Sequence, residues 1–356
     1  MLYQRKNIHG GDIYRQGITL DFSANTNPLG TPAAVKQAVI DSLENLHRYP
    51  DAYCRNLVDS ISKFEQVDSR YILCGNGAAE IIYAFCSAVK PKTAVEFAPT
   101  FSEYSLALKH TDCQISRYVL KKENDFLPDS EFLNFLKCKK PNAVFICNPN
   151  NPTGKLIPHS LLTEILDFCR KNDSFLFLDE CFLDMTFDGV SMKTQLLENP
   201  NLLILKAFTK SYGMAGLRLG YALCSNENLL KKISEQTQPW NISVPAQAAG
   251  SAALSQQEFL KTAKIIIEEE KQWLKNQFER FGFWVCDSDA NFLLFKAPCG
   301  LADELEKKGI SIRNCGNYYG LGEGFYRIGI RLHKENAQLI SAIEQILSKE
   351  QLWQKI

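Results

Sequence analysis

The chain has 356 residues, 40 Lys+Arg against 40 Asp+Glu and a 45% hydrophobic share, enough for one large core or two moderate ones and too much for a disordered chain. Zero formal net charge, without any run of five like charges, excludes a nucleic-acid binder working through a basic face. No apolar stretch approaches a bilayer span, and the start MLYQRKNIHGG lacks the apolar core of a secretory signal, so a cytoplasmic location is expected.

In chain order, residues 1–30, ending in DFSANTNPLG, read as an extended arm. From about 70 to 225, short β-rich runs alternate with helical patterns, the signature of an α/β unit with a mostly parallel sheet covered by helices. The predicted strands are Tyr71–Cys74, Thr93–Phe97, Ala143–Cys147, Phe175–Leu178, Leu202–Leu205 and Gly220–Leu223. After Pro158, apolar residues at Leu161, Leu162, Ile165, Leu166 and Cys169 predict a helix with one buried face. Beyond about 245 a long helix over Glu258–Phe281, closed by Gly282, leads to short strands at Phe292–Phe295, Ser311–Arg313 and Tyr326–Ile330. A terminal amphipathic helix follows, carrying Leu339, Ile340, Ile343, Ile346 and Leu347. The expected division is an arm (1–30), a large domain (31–245) and a small α+β domain (246–356).

Twelve cysteines are scattered through the chain, Cys138 and Cys147 being the nearest pair at nine apart, so no CxxC pattern exists and reduced core thiols are expected. The five histidines fall at no metal-ligand spacing, and no metal is expected.

In open α/β sheets ligands bind at the carboxyl ends of the strands, and four segments cluster there. Lys210, in KAFTKSYGMAGLRLGY, follows a predicted strand, with Arg218 eight residues on in a Gly-punctuated loop. Asp179 closes the apolar run FLFLDE. CGNGAAEII places Gly77, Ala78 and Ala79 where a strand gives way to a helix, a start whose free N–H groups suit an anion. The third glycine of GxGxxG is replaced by Glu80, so one phosphate is favoured over a dinucleotide. NPNNPTG holds Asn151 between turn residues, and Phe101 in APTFSEY is an aromatic for stacking. A reactive lysine, a buried carboxylate, phosphate donors and a planar neighbour are together the requirements of pyridoxal 5′-phosphate. Lys210 and Asp179 are then the catalytic candidates. Gly77, Ala78, Ala79, Phe101, Asn151, Thr209 and Arg218 are the further cofactor candidates.

With GNGAAE, NPNNPTG, FLFLDE and TKSYGMAGLRLGY, the chain resembles the fold type I pyridoxal-phosphate enzymes of the class I/II aminotransferase superfamily over nearly its whole length. Two branches compete, the histidinol-phosphate aminotransferases and the L-threonine-O-3-phosphate decarboxylases of cobalamin biosynthesis. HGGD, DFSANTNPLG, FSEY, QPWNIS and IRNCGNYYGLGEGFYRIGIR look like the decarboxylases. The aminotransferases typically have a hydroxylated aromatic three residues after the aspartate, where this chain has Phe182.

The resemblance implies further roles. Tyr49, in HRYPD, would reach the cofactor phosphate of a neighbouring subunit in a homodimer with shared sites. Arg327 would grip the substrate carboxylate, and Arg313, Arg331, His9 and Asn27 would meet the phosphate of a small phosphorylated amino acid, for which guanidinium forks are suited. Two departures stand out. Ala207 replaces a usual Ser or Thr phosphate donor, and Pro245 in SVPAQ departs from the decarboxylase pattern.

Overall fold

The computed structural model describes residues 9–14 and 17–348. Its strands are β1 Leu20–Asp21, β2 Ile72–Gly75, β3 Thr93–Ala98, β4 Gln114–Val119, β5 Ala143–Cys147, β6 Phe175–Asp179 and β7 Leu202–Ala207. They continue with β8 Gly220–Leu223, β9 Trp284–Val285, β10 Phe292–Lys296, β11 Ile310–Ser311, β12 Arg313–Asn314 and β13 Phe325–Gly329. Seven form one sheet in the order β2-β8-β7-β6-β5-β3-β4. Only β8 runs antiparallel to its neighbours.

A sheet covered on both faces demands strands that are apolar throughout. The runs AVFIC of β5 and LLILKA of β7 meet that demand, and every residue in both is buried. Strand β4, QISRYV, was not among the predicted strands. It lies at the sheet edge with mostly half-exposed side chains, so it needs no apolar run to mark it.

The helices are α1 Ala33–Ser42, α2 Arg55–Glu65, α3 Ala78–Val89, α4 Glu103–Lys109, α5 Glu131–Lys139 and α6 His159–Lys171. After them come α7 Phe208–Ser211, α8 Glu227–Ser234, α9 Val244–Leu254, α10 Gln257–Arg280, α11 Leu301–Glu306 and α12 His333–Leu347. The predicted patterns at 161–169, 258–281 and 339–347 correspond to α6, α10 and α12. Gly282, with φ 75°, closes α10 in the left-handed region that glycine tolerates best.

A second, antiparallel sheet, β12-β13-β10-β9, has its own core, in which Phe278 of α10 stacks on Phe295 with centroids 4.5 Å apart. The predicted strand at 311–313 is split in two. Ile310–Ser311 pairs in parallel with β1, and Arg313–Asn314 pairs with β13. The leading segment is therefore more than an extended arm. Phe22, Ser23, Asn25 and Asn27 are buried, and the Asn27 N–H donates to the Lys210 carbonyl at 3.0 Å. Thr31 donates to the Gly213 carbonyl at 2.8 Å. A side chain on Gly213 would start 2.6 Å from the Gly30 backbone, so glycine is what lets the two segments meet.

Beneath β7 lies a buried charge network. Lys206 contacts Asp184 at 2.7 Å and Glu65 at 3.3 Å, while Lys193 and the Tyr221 hydroxyl also reach Glu65. Two lysines face two carboxylates there, which meets the condition that buried charges be paired. The twelve cysteines are free. Among the described residues no helix is long and apolar enough to cross a membrane, and no group of three or more His, Cys, Asp or Glu could hold a metal ion.

Candidate active site

The carboxyl ends of β5, β6 and β7 open into a cavity of about 470 Å³. Asp179 is the last residue of β6, in register with Cys147 on β5, which carries it to the cavity floor. Its carboxylate is buried, and burial pushes its pKa up from the usual carboxylate value. The Cys181 thiol and N–H, the Tyr104 hydroxyl and the positive Lys210 oppose that rise. Tyr104 donates to Oδ2 at 2.6 Å and the Cys181 N–H to Oδ1 at 2.9 Å. Tyr104 is itself fully buried, with its ring near Phe145.

Lys210, on the short helix after β7, lines the same cavity with its ammonium 5.6 Å from the centre of the Phe182 ring. Its pKa is lowered to about 8 by desolvation, then by the guanidinium charges of Arg327 and Arg218, against the opposing pull of Cys181 and Asp179. A lysine so shifted has much more neutral amine near pH 8 than one in water.

The other end of the cavity is closed by a helix start and an arginine. Helix α3 starts at Ala78 behind Gly77, whose φ is 82°. A Cβ on Gly77 would lie 2.5 Å from Arg218 Nη2, so only glycine lets the guanidinium close on the helix start. Arg218 is exposed, and its Nη1 makes a long hydrogen bond, 3.4 Å, to the Ala215 carbonyl. Ala78, Ala79, Thr209 and Arg218 all line this end.

Opposite, Arg327 on β13 is buried. It donates through Nη1 to Asn151 Oδ1 and through Nη2 to the Ser23 carbonyl at 2.8 Å. Its Nε is buried without a hydrogen-bond partner. Because Asn151 spends its oxygen on Arg327, its amide N–H groups are left to donate. His9 and Arg313 stand nearer the mouth. His9 pairs with Glu103 at 2.5 Å, and Glu103 also accepts from Tyr83 at 3.0 Å. Arg313 Nη2 donates to Asn317 at 2.7 Å.

Residues 18–344 match the family of class I and II aminotransferases. The chain belongs to that family. It is 34% identical to the threonine-phosphate decarboxylase of Salmonella typhimurium over 96% of each chain. It is 33% identical to a histidinol-phosphate aminotransferase of a Geobacillus species, covering 94% of this chain and 91% of the relative. The crystal structure of the histidinol-phosphate aminotransferase from Clostridium acetobutylicum superposes with a TM-score of 0.86 at 28% identity, covering 93% of this chain and 99% of that one.

In this class I/II family member, the cavity brings together His9, Ala78, Ala79, Phe101, Asn151, Asp179, Thr209, Lys210, Arg218, Arg313 and Arg327, with Gly77 beside them. Three expected residues fall outside it. Asn27 is buried, donating to the Ser211 carbonyl at 2.8 Å and accepting from the Leu29 N–H, so it fastens the leading segment to the lysine loop. Arg331 donates to the Asp21 carbonyl and to Thr26, holding the same segment from the other side. Tyr49 is 79% exposed and stacked on Trp240, 4.6 Å between centroids.

Among the residues that sequence reasoning missed, Asn25, Cys147 and Cys181 line the cavity, and Tyr104 stands behind its wall, hydrogen-bonded to Asp179. Asn25, with its buried oxygen unpartnered, takes the place expected of Asn27 two residues on. Tyr104 had a usable signal, since it lies three residues after Phe101 in the same APTFSEY segment.

Proposed function

We propose that the chain is a pyridoxal 5′-phosphate-dependent carboxy-lyase that removes the carboxylate of L-threonine O-3-phosphate, giving the aminopropanol phosphate used in cobalamin biosynthesis. The observation that carries this reading is the pairing, in one cavity, of a buried arginine having an unspent donor, Arg327, with a second arginine, Arg313, and the His9 imidazole at the mouth. That spacing suits a substrate with a carboxylate at one end and a phosphate at the other. The relationship to a decarboxylase over nearly the full chain points the same way.

The cofactor fits the residues present. The glycine-lined start of α3 and Arg218 suit its phosphate, Asp179 its ring nitrogen, the free amide of Asn151 its ring oxygen, and Phe101 its ring face. When bound, it supplies an aldehyde for the substrate amine and a ring that accepts the electron pair left by the departing carboxylate. Asp179, which accepts hydrogen bonds from Tyr104 and the Cys181 N–H, would hold a proton at the ring nitrogen. Arg327 orients the carboxylate until it leaves as carbon dioxide. Lys210 then delivers a proton from Nζ to the substrate Cα, a transfer favoured by its lowered pKa.

A homodimer in the cytoplasm is part of the proposal. Tyr49, Leu43 and Leu46 are exposed apolar side chains close together in sequence, and a second copy that buries them would bring Tyr49 to its neighbour's phosphate cradle.

The competing reading, an aminotransferase, is favoured by the comparable identity to histidinol-phosphate aminotransferases. Phe182, which lacks the hydroxyl typical of that branch, weighs against it. The deciding measurement is carbon dioxide release from O-phospho-L-threonine without an oxo acid. Turnover that requires 2-oxoglutarate and releases no carbon dioxide would replace the decarboxylase with the aminotransferase.

A further inference from the structure

A second cavity of about 270 Å³ lies against the first, and the two share Phe101, Arg313 and Tyr318 as walls. The proposed reaction makes no use of it. Three cationic side chains line it from three elements, Lys109 at the end of α4, Arg117 on β4 and Arg313 on β12. Against them stands one carboxyl, Glu96 of β3, which is 3% exposed.

Arg117 Nε donates to Glu96 Oε1 at 2.8 Å, which by itself is an ordinary structural ion pair at a sheet edge. Two further observations exceed that account. Glu96 Oε2 is buried with no partner, an unfavourable state unless something else meets it. Burial also raises the Glu96 pKa to about 7 in spite of Arg117 and Lys109, while the nearby Cys113 thiol is pushed up to about 11 and stays neutral. Near neutral pH, Glu96 therefore carries a proton in much of the population and can donate it to an anion. Lys109 makes no ion pair with another described residue that would neutralise it.

We propose that this side chamber is a second phosphate site. It would take inorganic phosphate or the phosphoryl group of a small phosphate monoester, with Arg117 and Lys109 as charge partners and Glu96 as hydrogen-bond donor. A guanidinium fork and an ammonium point charge are the two side chains best suited to phosphate oxygens. The site communicates with the active site through Arg313. Its guanidinium donates to Asn317, which lines only the side chamber, and packs on Tyr318, which lines both. A phosphate in the chamber competes for the same guanidinium as the phosphate of a substrate at the mouth.

The test is equilibrium dialysis of the holoenzyme against labelled inorganic phosphate, a readout that does not depend on which reaction the enzyme catalyses. The Lys109→Gln/Arg117→Gln double variant is expected to bind one phosphate fewer per chain than the wild type. Lys109→Gln alone, which alters an exposed side chain, should weaken that phosphate about tenfold. Glu96→Gln should retain it, because the amide keeps a donor. Equal stoichiometry in the wild type and the double variant overturns the proposal, as does unchanged affinity in Lys109→Gln. Displacement of that phosphate by O-phosphoethanolamine at lower concentration than by unlabelled phosphate would assign the chamber to an ester, and the reverse order to the free ion.

Discussion

The two ends of the cavity are built in different ways. At the cofactor end, Asp179, Lys210 and the start of α3 follow β6, β7 and β2, strands of one sheet, with Tyr104 wedged behind Asp179 and fully buried. At the substrate end, His9 and Asn25 come from the leading segment and Arg313 and Arg327 from the small sheet, so residues some 300 apart must meet. The first arrangement resists change because its neighbours are fixed by strand pairing. The second allows substrate contacts to vary without disturbing the chemistry, and its position depends on the fastening of one segment by Asn27 and Arg331.

The contrast can be broken first at its strongest point. Lys210→Ala removes the residue proposed as both attachment point and proton donor, and turnover should fall by about 10⁴-fold, the upper end of what one acid–base group contributes. Carbon dioxide release by the variant within tenfold of wild type would remove Lys210 from the chemistry. Next in size is Lys206→Ala, which leaves Glu65 and Asp184 buried with one cation fewer. It should cost about 3–5 kcal/mol of stability, read as a lower denaturant midpoint. A loss below 1 kcal/mol would mean that the cofactor end does not depend on that network.

At the substrate end, Arg327→Gln should raise KM by about a hundredfold, because a buried charged donor pair is lost. Arg313→Gln, nearer solvent, should raise it about tenfold. Equal effects would show that the mouth is as desolvated as the floor. Tyr104→Phe deletes one hydrogen bond to a carboxylate and should weaken cofactor binding about tenfold, measured by displacement at constant pH. No change there would make Tyr104 a packing residue only.

How much of this was readable from sequence follows the same contrast. Lys210, Asp179, Asn151 and Arg218 each close an apolar run or sit in a Gly- or Pro-marked turn, so local pattern pointed to them. Asn25 and Asn27 are both buried, two apart in the same segment, and nothing local separates them. The choice is made by the Lys210 loop, whose carbonyl takes the Asn27 N–H. Arg331 resembles Arg327 four residues earlier, yet its partner is the Asp21 carbonyl, a contact across 310 positions. Strand β4 escaped because an edge strand need not be apolar. Long-range partners and edge position have no short-range signature.

The smallest effect concerns the timing of Lys210 ionisation. Covalent capture of the cofactor aldehyde needs the neutral amine, and the surrounding guanidinium charges and desolvation set its pKa near 8 in the apoprotein. Below that value the amine is charged and capture is slow; above it the amine is free. Capture by apoprotein, followed by the visible absorbance of the bound cofactor, should therefore quicken about tenfold from pH 7 to pH 9 and then level off. A lysine with the ordinary pKa near 10.4 would go on accelerating past pH 10. In Arg327→Gln the plateau should begin at higher pH, because one of the charges that lowers the Lys210 pKa is gone. A plateau that stays in place would leave desolvation alone as the cause and would uncouple the two ends of the cavity.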